Sequence, residues 1–288
     1  SHVPSSSAWL SLKRLQQQPS ADQPLMAWGD PLFDAGAAGA LLAKTGSVVR
    51  SAITERPALR LDITQPQVDR LRYSTIPPLP DTREEVLALA HSLGADERKD
   101  VLLGRDATRE SVLAASADGR LQRKRVVVFA THGLLAGDLP RLDQPALAMA
   151  ALPPTSTAAA LPASTGAENA LTPLLTLEDV LGLKLNADWV VLSACNTAGA
   201  DGRQGEAMSG LARGFFYAGS RSLLVTHWSV ESESAKLLTT STFAAYQSDP
   251  RMTRSRALRT GMLVVMAFPR FEHPAFWAPY ALVGEGGR

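Results

Sequence analysis

Apolar residues along the chain fall into two recurring patterns. Short unbroken runs at 25–28, 101–103, 125–130, 189–192 and 222–226 are rich in Val, Leu, Ala and aromatic residues. They have the length of strands buried on both faces. Between and beyond them, stretches at 5–16, 81–93, 108–117, 205–218, 231–247 and 253–268 place apolar residues at helical spacing. A short helix at 176–181 and further strands at 146–152 and 277–283 complete the reading. Turn chemistry supports several boundaries. Pro77, Pro78 and Pro80 precede Asp81 and Thr82, either of which can cap a helix, while Glu84 and Glu85 suit its first turn and Gly94 its end. Gly210 and Gly214 predict close packing of the 205–218 helix against a sheet.

Strand and helix alternate across the whole chain, which predicts one α/β domain over 1–288 with a mostly parallel central sheet and helices on both faces. Two excursions interrupt the rhythm, at 33–80 and 134–176. In the first, Gly36 and Gly39 lack the strand context and full spacing of a dinucleotide fingerprint. In the second, 153–172 is mostly Ala, Pro, Ser and Thr, a composition that predicts a mobile loop. The glycines at 199, 202 and 205 predict a further loop.

Composition narrows the class. With 288 residues, 45% of them hydrophobic, and a net charge of +1, the chain can build a sizeable core. Its charge balance gives no argument for a nucleic-acid partner or a membrane surface. The basic residues at 120–125 read as a solvated approach to a strand. A single cysteine excludes an internal disulfide and a cysteine-based metal site, and it suits a reducing, cytoplasmic setting. No metal or cofactor motif stands out, no apolar run has the span of a membrane helix, and the N-terminus lacks a signal-peptide layout. The start at Ser1-His2-Val3-Pro4 is expected to follow a further region of a larger protein.

The candidate chemistry lies at two strand ends. Arg125 to Ala130 leads into Thr131-His132-Gly133, and Trp189 to Leu192 leads into Ser193-Ala194-Cys195. Ligands of parallel sheets bind outside the carboxyl ends of the strands. Taken singly, each residue reads as a small core or structural group. Together they make a nucleophilic thiolate, an imidazole that takes and returns a proton, and a glycine that admits substrate to the backbone. The predicted reaction is attack on a peptide carbonyl.

Ala130-Thr-His132-Gly133, Leu192-Ser-Ala-Cys195-Asn-Thr-Ala198, the segment from Gly205 to Gly219 and the tail His273-Pro-Ala-Phe-Trp-Ala-Pro-Tyr280 together resemble the CHAT domain. The likeness extends to Gly29-Asp-Pro-Leu-Phe33 and Leu79-Pro-Asp-Thr-Arg-Glu-Glu85. These are caspase-like peptidases related to separase, commonly joined in bacteria to tetratricopeptide repeats, of which none is present in this sequence. The resemblance implies a caspase-like sandwich and a His132–Cys195 dyad, with the backbone N–H groups of Gly133 and Cys195 binding the oxyanion. It also implies limited cleavage of a protein partner, a gasdermin-like pore former or another protein of bacterial defence.

The expected basic pocket departs from the family. Separases and many members carry Trp-x-Val-x-Asp after the next strand, whereas this chain has Trp228-Ser-Val-Glu231-Ser232-Glu233. Glu231, Glu233 or Asp201 would then receive a basic residue, unless the acids only serve a helix start. His227 and Trp228 are expected to line the substrate groove, and His273 reads as structural. A non-catalytic interaction module and a hydrolase of small esters or amides are the competing functions.

Overall fold

In a computed structural model, residues 19–34, 73–139, 142–151, 173–193, 202–228 and 230–287 are described, with backbone alone for 202–209. The elements run β1 (Gln23–Gly29), α1 (Asp81–Leu93), α2 (Glu97–Asp100), β2 (Val101–Leu103), α3 (Arg109–Ala117), β3 (Lys124–Ala130) and β4 (Gly133–Leu134). They continue with β5 (Ala146–Ala148), β6 (Leu174–Thr176), α4 (Leu177–Gly182), β7 (Trp189–Leu192), α5 (Gly202–Ala218) and β8 (Ser222–Thr226). The last are α6 (Ser232–Ser248), α7 (Arg254–Met266) and β9 (Tyr280–Gly284). The expected 5–16 helix, most of the 33–80 excursion and the 153–172 loop lie outside the described residues.

The main sheet has the order β2-β1-β3-β7-β8-β9, parallel throughout except for the antiparallel β8–β9 pair. Side chains that alternate along each strand divide between two cores. Met26, Trp28, Val127, Phe129, Val190 and Leu192 face α3, α4 and α5, where Val112, Val180 and Phe215 complete one core. Leu25, Ala27, Val126, Val128, Trp189 and Val191 face α1, α6 and α7, where Leu89, Phe243 and Ala257 complete the other. Helices thus cover both faces, and the fold is the mostly parallel α/β sandwich that the alternation predicts. Trp189 anchors its face edge-on to Phe243 and Tyr246, at ring-centroid distances of 5.2 and 5.6 Å.

Caps fix several helices where sequence placed them. Gly94 ends α1 in the left-handed region at φ 70°. Thr108 caps α3, and Thr176 opens α4 in a capping box with Asp179. Asp179 also takes two bonds from Arg109, of 2.8 and 2.7 Å, which ties α4 to α3. At α1 the expected side-chain cap is missing: Pro80 occupies the N-cap position, and Thr82 instead donates to the Leu79 carbonyl and accepts from Asp30 N–H.

Three expectations change. The helix expected from about Gly205 begins three residues earlier, so Gly202 belongs to α5 rather than to the loop before it. Gly214 packs against α4, not the sheet: a Cβ there would stand 2.8 Å from a Leu177 methyl and 3.2 Å from Val180. The excursion at 134–176 is not wholly irregular, since β4, β5 and β6 form a second, antiparallel sheet. It covers a small core of Phe33, Tyr73, Ile76, Leu134, Leu139 and Leu142.

Charged groups sit at the amino ends of the strands. Asp188, buried just before β7, faces Arg125 at 3.1 Å, Arg254 at 3.4 Å and Arg221 at 3.7 Å. The basic 120–125 stretch is also less solvated than expected, because Lys124 is buried with its ammonium 2.5 Å from Asp100. Asp100→Ala would strand that ammonium and is expected to cost about 3 kcal/mol, read as a lower urea midpoint, while adding Lys124→Met recovers most of the loss.

Candidate active site

The site is set by the pairing of β3 with β7. Their register matches Val126 with Trp189 and Phe129 with Leu192. His132 stands three positions after Phe129, and Cys195 three positions after Leu192, so both follow the carboxyl ends of neighbouring parallel strands at equal offset. A shared site requires these two strands to be neighbours, and the sheet pairs them directly. Cys195 and Asp201 themselves lie outside the described residues.

His132 is half-buried. Its ring lies 5.6 Å from that of Phe33, and its Nε2 is 2.9 Å from the Pro77 carbonyl oxygen. A carbonyl only accepts, so in the neutral imidazole Nε2 carries the proton and Nδ1 keeps its lone pair. Nδ1 is therefore the nitrogen able to act as base. The turn that holds this ring is fixed from behind, since Thr131 donates through its hydroxyl to the Ala148 carbonyl and Ala148 N–H bonds the His132 carbonyl at 2.9 Å. In that antiparallel pattern Gly133 opposes Leu147 without bonding it, so the Gly133 N–H points away from β5.

A cleft opens outside the ends of β7 and β8, between the starts of α1 and α6. Asp81, Glu85, Ser193, Thr226, Ser232 and Tyr280 are among its lining residues. Ser232, at the position of the family's aspartate, donates to Asp81 over 2.6 Å, so the acid at the mouth comes from α1. Glu85 lies deeper, only 4% exposed, with its two carboxyl oxygens 2.8 and 2.7 Å from the Ser193 hydroxyl. Burial pushes its carboxyl from 4.5 up to about 7, against the opposing pull of the Ser193 and Thr239 hydroxyls. Sequence reasoning missed both acids, reading the start of α1 only as helix-dipole chemistry. The available signal was spacing: Glu85 stands one turn before Leu89, on the apolar stripe of the helix.

The other expected site residues lie elsewhere in this frame. Glu231 caps α6 with both carboxylate oxygens, accepting from the Glu233 and Ser234 N–H groups at 3.0 and 2.8 Å. Glu233 pairs with Arg270. His227 is exposed just beyond β8, and the neighbouring Trp228, 42% exposed, donates from Nε1 to the Ala275 carbonyl. His273 is structural, as expected: its Nδ1 accepts from Ala275 N–H at 3.2 Å and starts a short turn. Among the described residues no group of His, Cys, Asp and Glu is arranged to hold a metal ion, and no helix is long and apolar enough to cross a membrane.

The raised Glu85 value links folding to pH. Between 4.5 and about 7 the unfolded chain releases this proton while the folded chain keeps it, so stability falls as pH rises through that window. The loss is on the order of 3 kcal/mol. Glu85→Gln is expected to remove the slope and to be the more stable form at pH about 8, measured by urea unfolding across the range.

Comparison with known proteins agrees with the geometry. Tetratricopeptide repeat protein 28 of Mus musculus is 27% identical over 224 residues, which are 72% of this chain and 9% of that protein. Its Homo sapiens counterpart is 30% identical over 227 residues, 72% of this chain and 8% of that protein. The chain spans less than a tenth of the length of these curated relatives. The CHAT domain profile matches residues 1–285, and the chain belongs to that caspase-like family.

Proposed function

We propose that the chain is a cysteine endopeptidase in which His132 and Cys195 act as a dyad on a protein partner. The observation that supports this most is the β3–β7 register, which sends the two residues off neighbouring strand ends at equal offset. The Pro77 carbonyl supplies the rest of the acid–base assignment by holding the proton on Nε2. In the first half-reaction the Cys195 thiol passes its proton to His132 Nδ1 and the sulfur bonds the carbonyl carbon. The resulting oxyanion is received by N–H groups of Gly133 and Cys195, donors preset for the developing charge. Collapse breaks the C–N bond, and the amine leaves with the proton from His132. Water then attacks the thioester with His132 as base, which releases the acid and restores the thiol.

The cleft beside β7 is the natural receptor for a substrate side chain, since Ser193 lines it only two positions before Cys195. A basic residue suits it through Asp81, the carboxylate at its mouth, rather than through Glu231 or Glu233, which are committed to the α6 cap and to Arg270. The exposed Trp228 adds an apolar surface near the same strand ends.

A proteome-derived peptide library treated with the wild type and with Cys195→Ala, fragment ends being read by mass spectrometry, tests the reaction. Cuts present only with wild type support the peptidase, and cleavage by neither form favours an interaction module. His132→Ala is expected to lower kcat/KM by at least about a thousandfold, as loss of a general base and of thiolate activation demands. Asp81→Asn should reduce discrimination for Lys or Arg at the cut by roughly tenfold, the scale of one charge-assisted contact; an unchanged cleavage pattern would place the selectivity elsewhere.

A further inference from the structure

We propose that the outward face of the α6–α7 helix pair is a docking surface for an acidic amphipathic helix of a partner protein. The inward face of α7 is already satisfied. Ala257, Leu258, Gly261 and Val265 are buried. A Cβ at Gly261 would stand 2.7 Å from the Leu238 carbonyl oxygen of α6, so the two helices meet closely at that point. What α7 turns outward is therefore not needed for its own packing.

That outward surface is apolar over its carboxyl half. Residues 261–268, Gly-Met-Leu-Val-Val-Met-Ala-Phe, contain no polar side chain. Val265 among them is buried, yet Leu263 is 47% exposed, Met266 39% and Phe268 42%. A helix apolar on every side belongs in a protein interior rather than against water. The outer flank of α6 adds no charge, because residues 237–248 include no Asp, Glu, Lys or Arg. Ser241 and Ala244 present small groups there. A charge-poor surface that carries Met, Phe and Arg has the composition of an interface.

Uncompensated charge enters at the amino half, and with one sign. Between Asp249 and Glu272 the chain has five arginines and no acid. Arg251 pairs with Asp249, Arg254 with Asp188 and Arg270 with Glu233. Arg256 and Arg259 are exposed, and neither has a carboxylate partner among the described residues. They share a stripe with the apolar group: 256, 259, 263 and 266 recur at intervals of three, four and three. The stripe is a nearly straight line of about 15 Å along the helix.

These features select the occupant. The interior of a helix has no free backbone N–H or C=O, so its flank cannot extend a sheet and offers no seat to a strand. A straight apolar line is instead met by side chains at the matching spacing of a second helix. Two unanswered guanidinium groups call for carboxylates on that helix and reject a basic one. The chain's own remaining segments lack that charge. Residues 1–18 carry Lys13 and Arg14 and no acid, 35–72 six basic groups against three acids, and 152–172 and 194–201 a single acid each. The acidic helix therefore comes from another protein. The surface ends beside the cleft, since Arg270 is held by Glu233, next to the Ser232 that lines it.

The probe is a fluorescent helical peptide of about 18 residues, with Leu at intervals of three and four, Ala elsewhere and Glu clustered at one end; its twin has Lys in place of Glu. Binding to the full chain is read by fluorescence anisotropy. The acidic peptide is expected to bind saturably below about 100 μM and about tenfold tighter than the twin, an advantage that shrinks as salt is raised. Arg256→Glu with Arg259→Glu should reverse the preference, and Leu263→Ser with Met266→Ser should weaken both peptides about tenfold. All four positions are exposed, and circular dichroism checks that each variant keeps the fold. No binding, equal binding of the two peptides, or binding that neither pair of substitutions changes overturns the proposal. A dimer in light scattering that Leu263→Ser with Met266→Ser dissociates overturns it in favour of a second copy. Sedimentation with phosphatidylserine vesicles that the same variant loses, with neither peptide bound, overturns it in favour of a membrane surface.

Discussion

The pairing of β3 with β7 is the constraint on which the rest of the structure depends. Both strands are interior to the sheet and buried on each face, so their side chains have to satisfy two cores at once. A slip by one residue would exchange those faces, moving Trp189 away from Phe243 and Tyr246 and Phe129 away from its own core. The register is therefore pinned by packing far from any chemistry. Because it is pinned, the residues that follow each strand inherit a fixed relation, and the relation of His132 to the end of β7 is a product of core packing.

Around that frame the smaller elements act as supports. The short β4–β5–β6 sheet holds the turn behind His132, and the Pro77 carbonyl in front of the ring selects one tautomer. The start of α1 shapes the cleft and supplies its acids, while α6 contributes Ser232 to orient one of them. Three separate segments thus surround one strand end, each tied down by hydrogen bonds of its own.

Much of this frame was legible in the chain. Strands buried on both faces appear as continuous apolar runs, so β3, β7 and β8 could be read within a residue, and Gly94, Thr108 and Thr176 marked helix boundaries through local chemistry. The small sheet was hidden because its strands are two or three residues long and owe their existence to pairing across distant positions. Glu85 was hidden for a related reason: a glutamate in the first turn of a helix already has a local explanation, and its partner Ser193 is remote in sequence. The local explanation was correct for Glu231, which does cap α6. Short-range patterns identify elements and caps, while the polar contacts that join one element's end to another's flank leave almost no trace in them.

The Asp188 cluster gives β7 an unusual mechanical character. At its amino end the strand is gripped by guanidinium groups that arrive from β3, from the turn before β8 and from α7. At its carboxyl end no ion pair is described; there the Ser193 hydroxyl meets Glu85, and the Ser193 N–H bonds the Phe129 carbonyl beside the paired strands β3 and β8. The strand is in effect a beam fastened at both ends, by charge at its root and by neighbouring strands and one polar side-chain contact at its tip. The two fastenings use different chemistry, so side chains at the tip can be exchanged over evolution while the ion pairs at the root go on fixing the folding core.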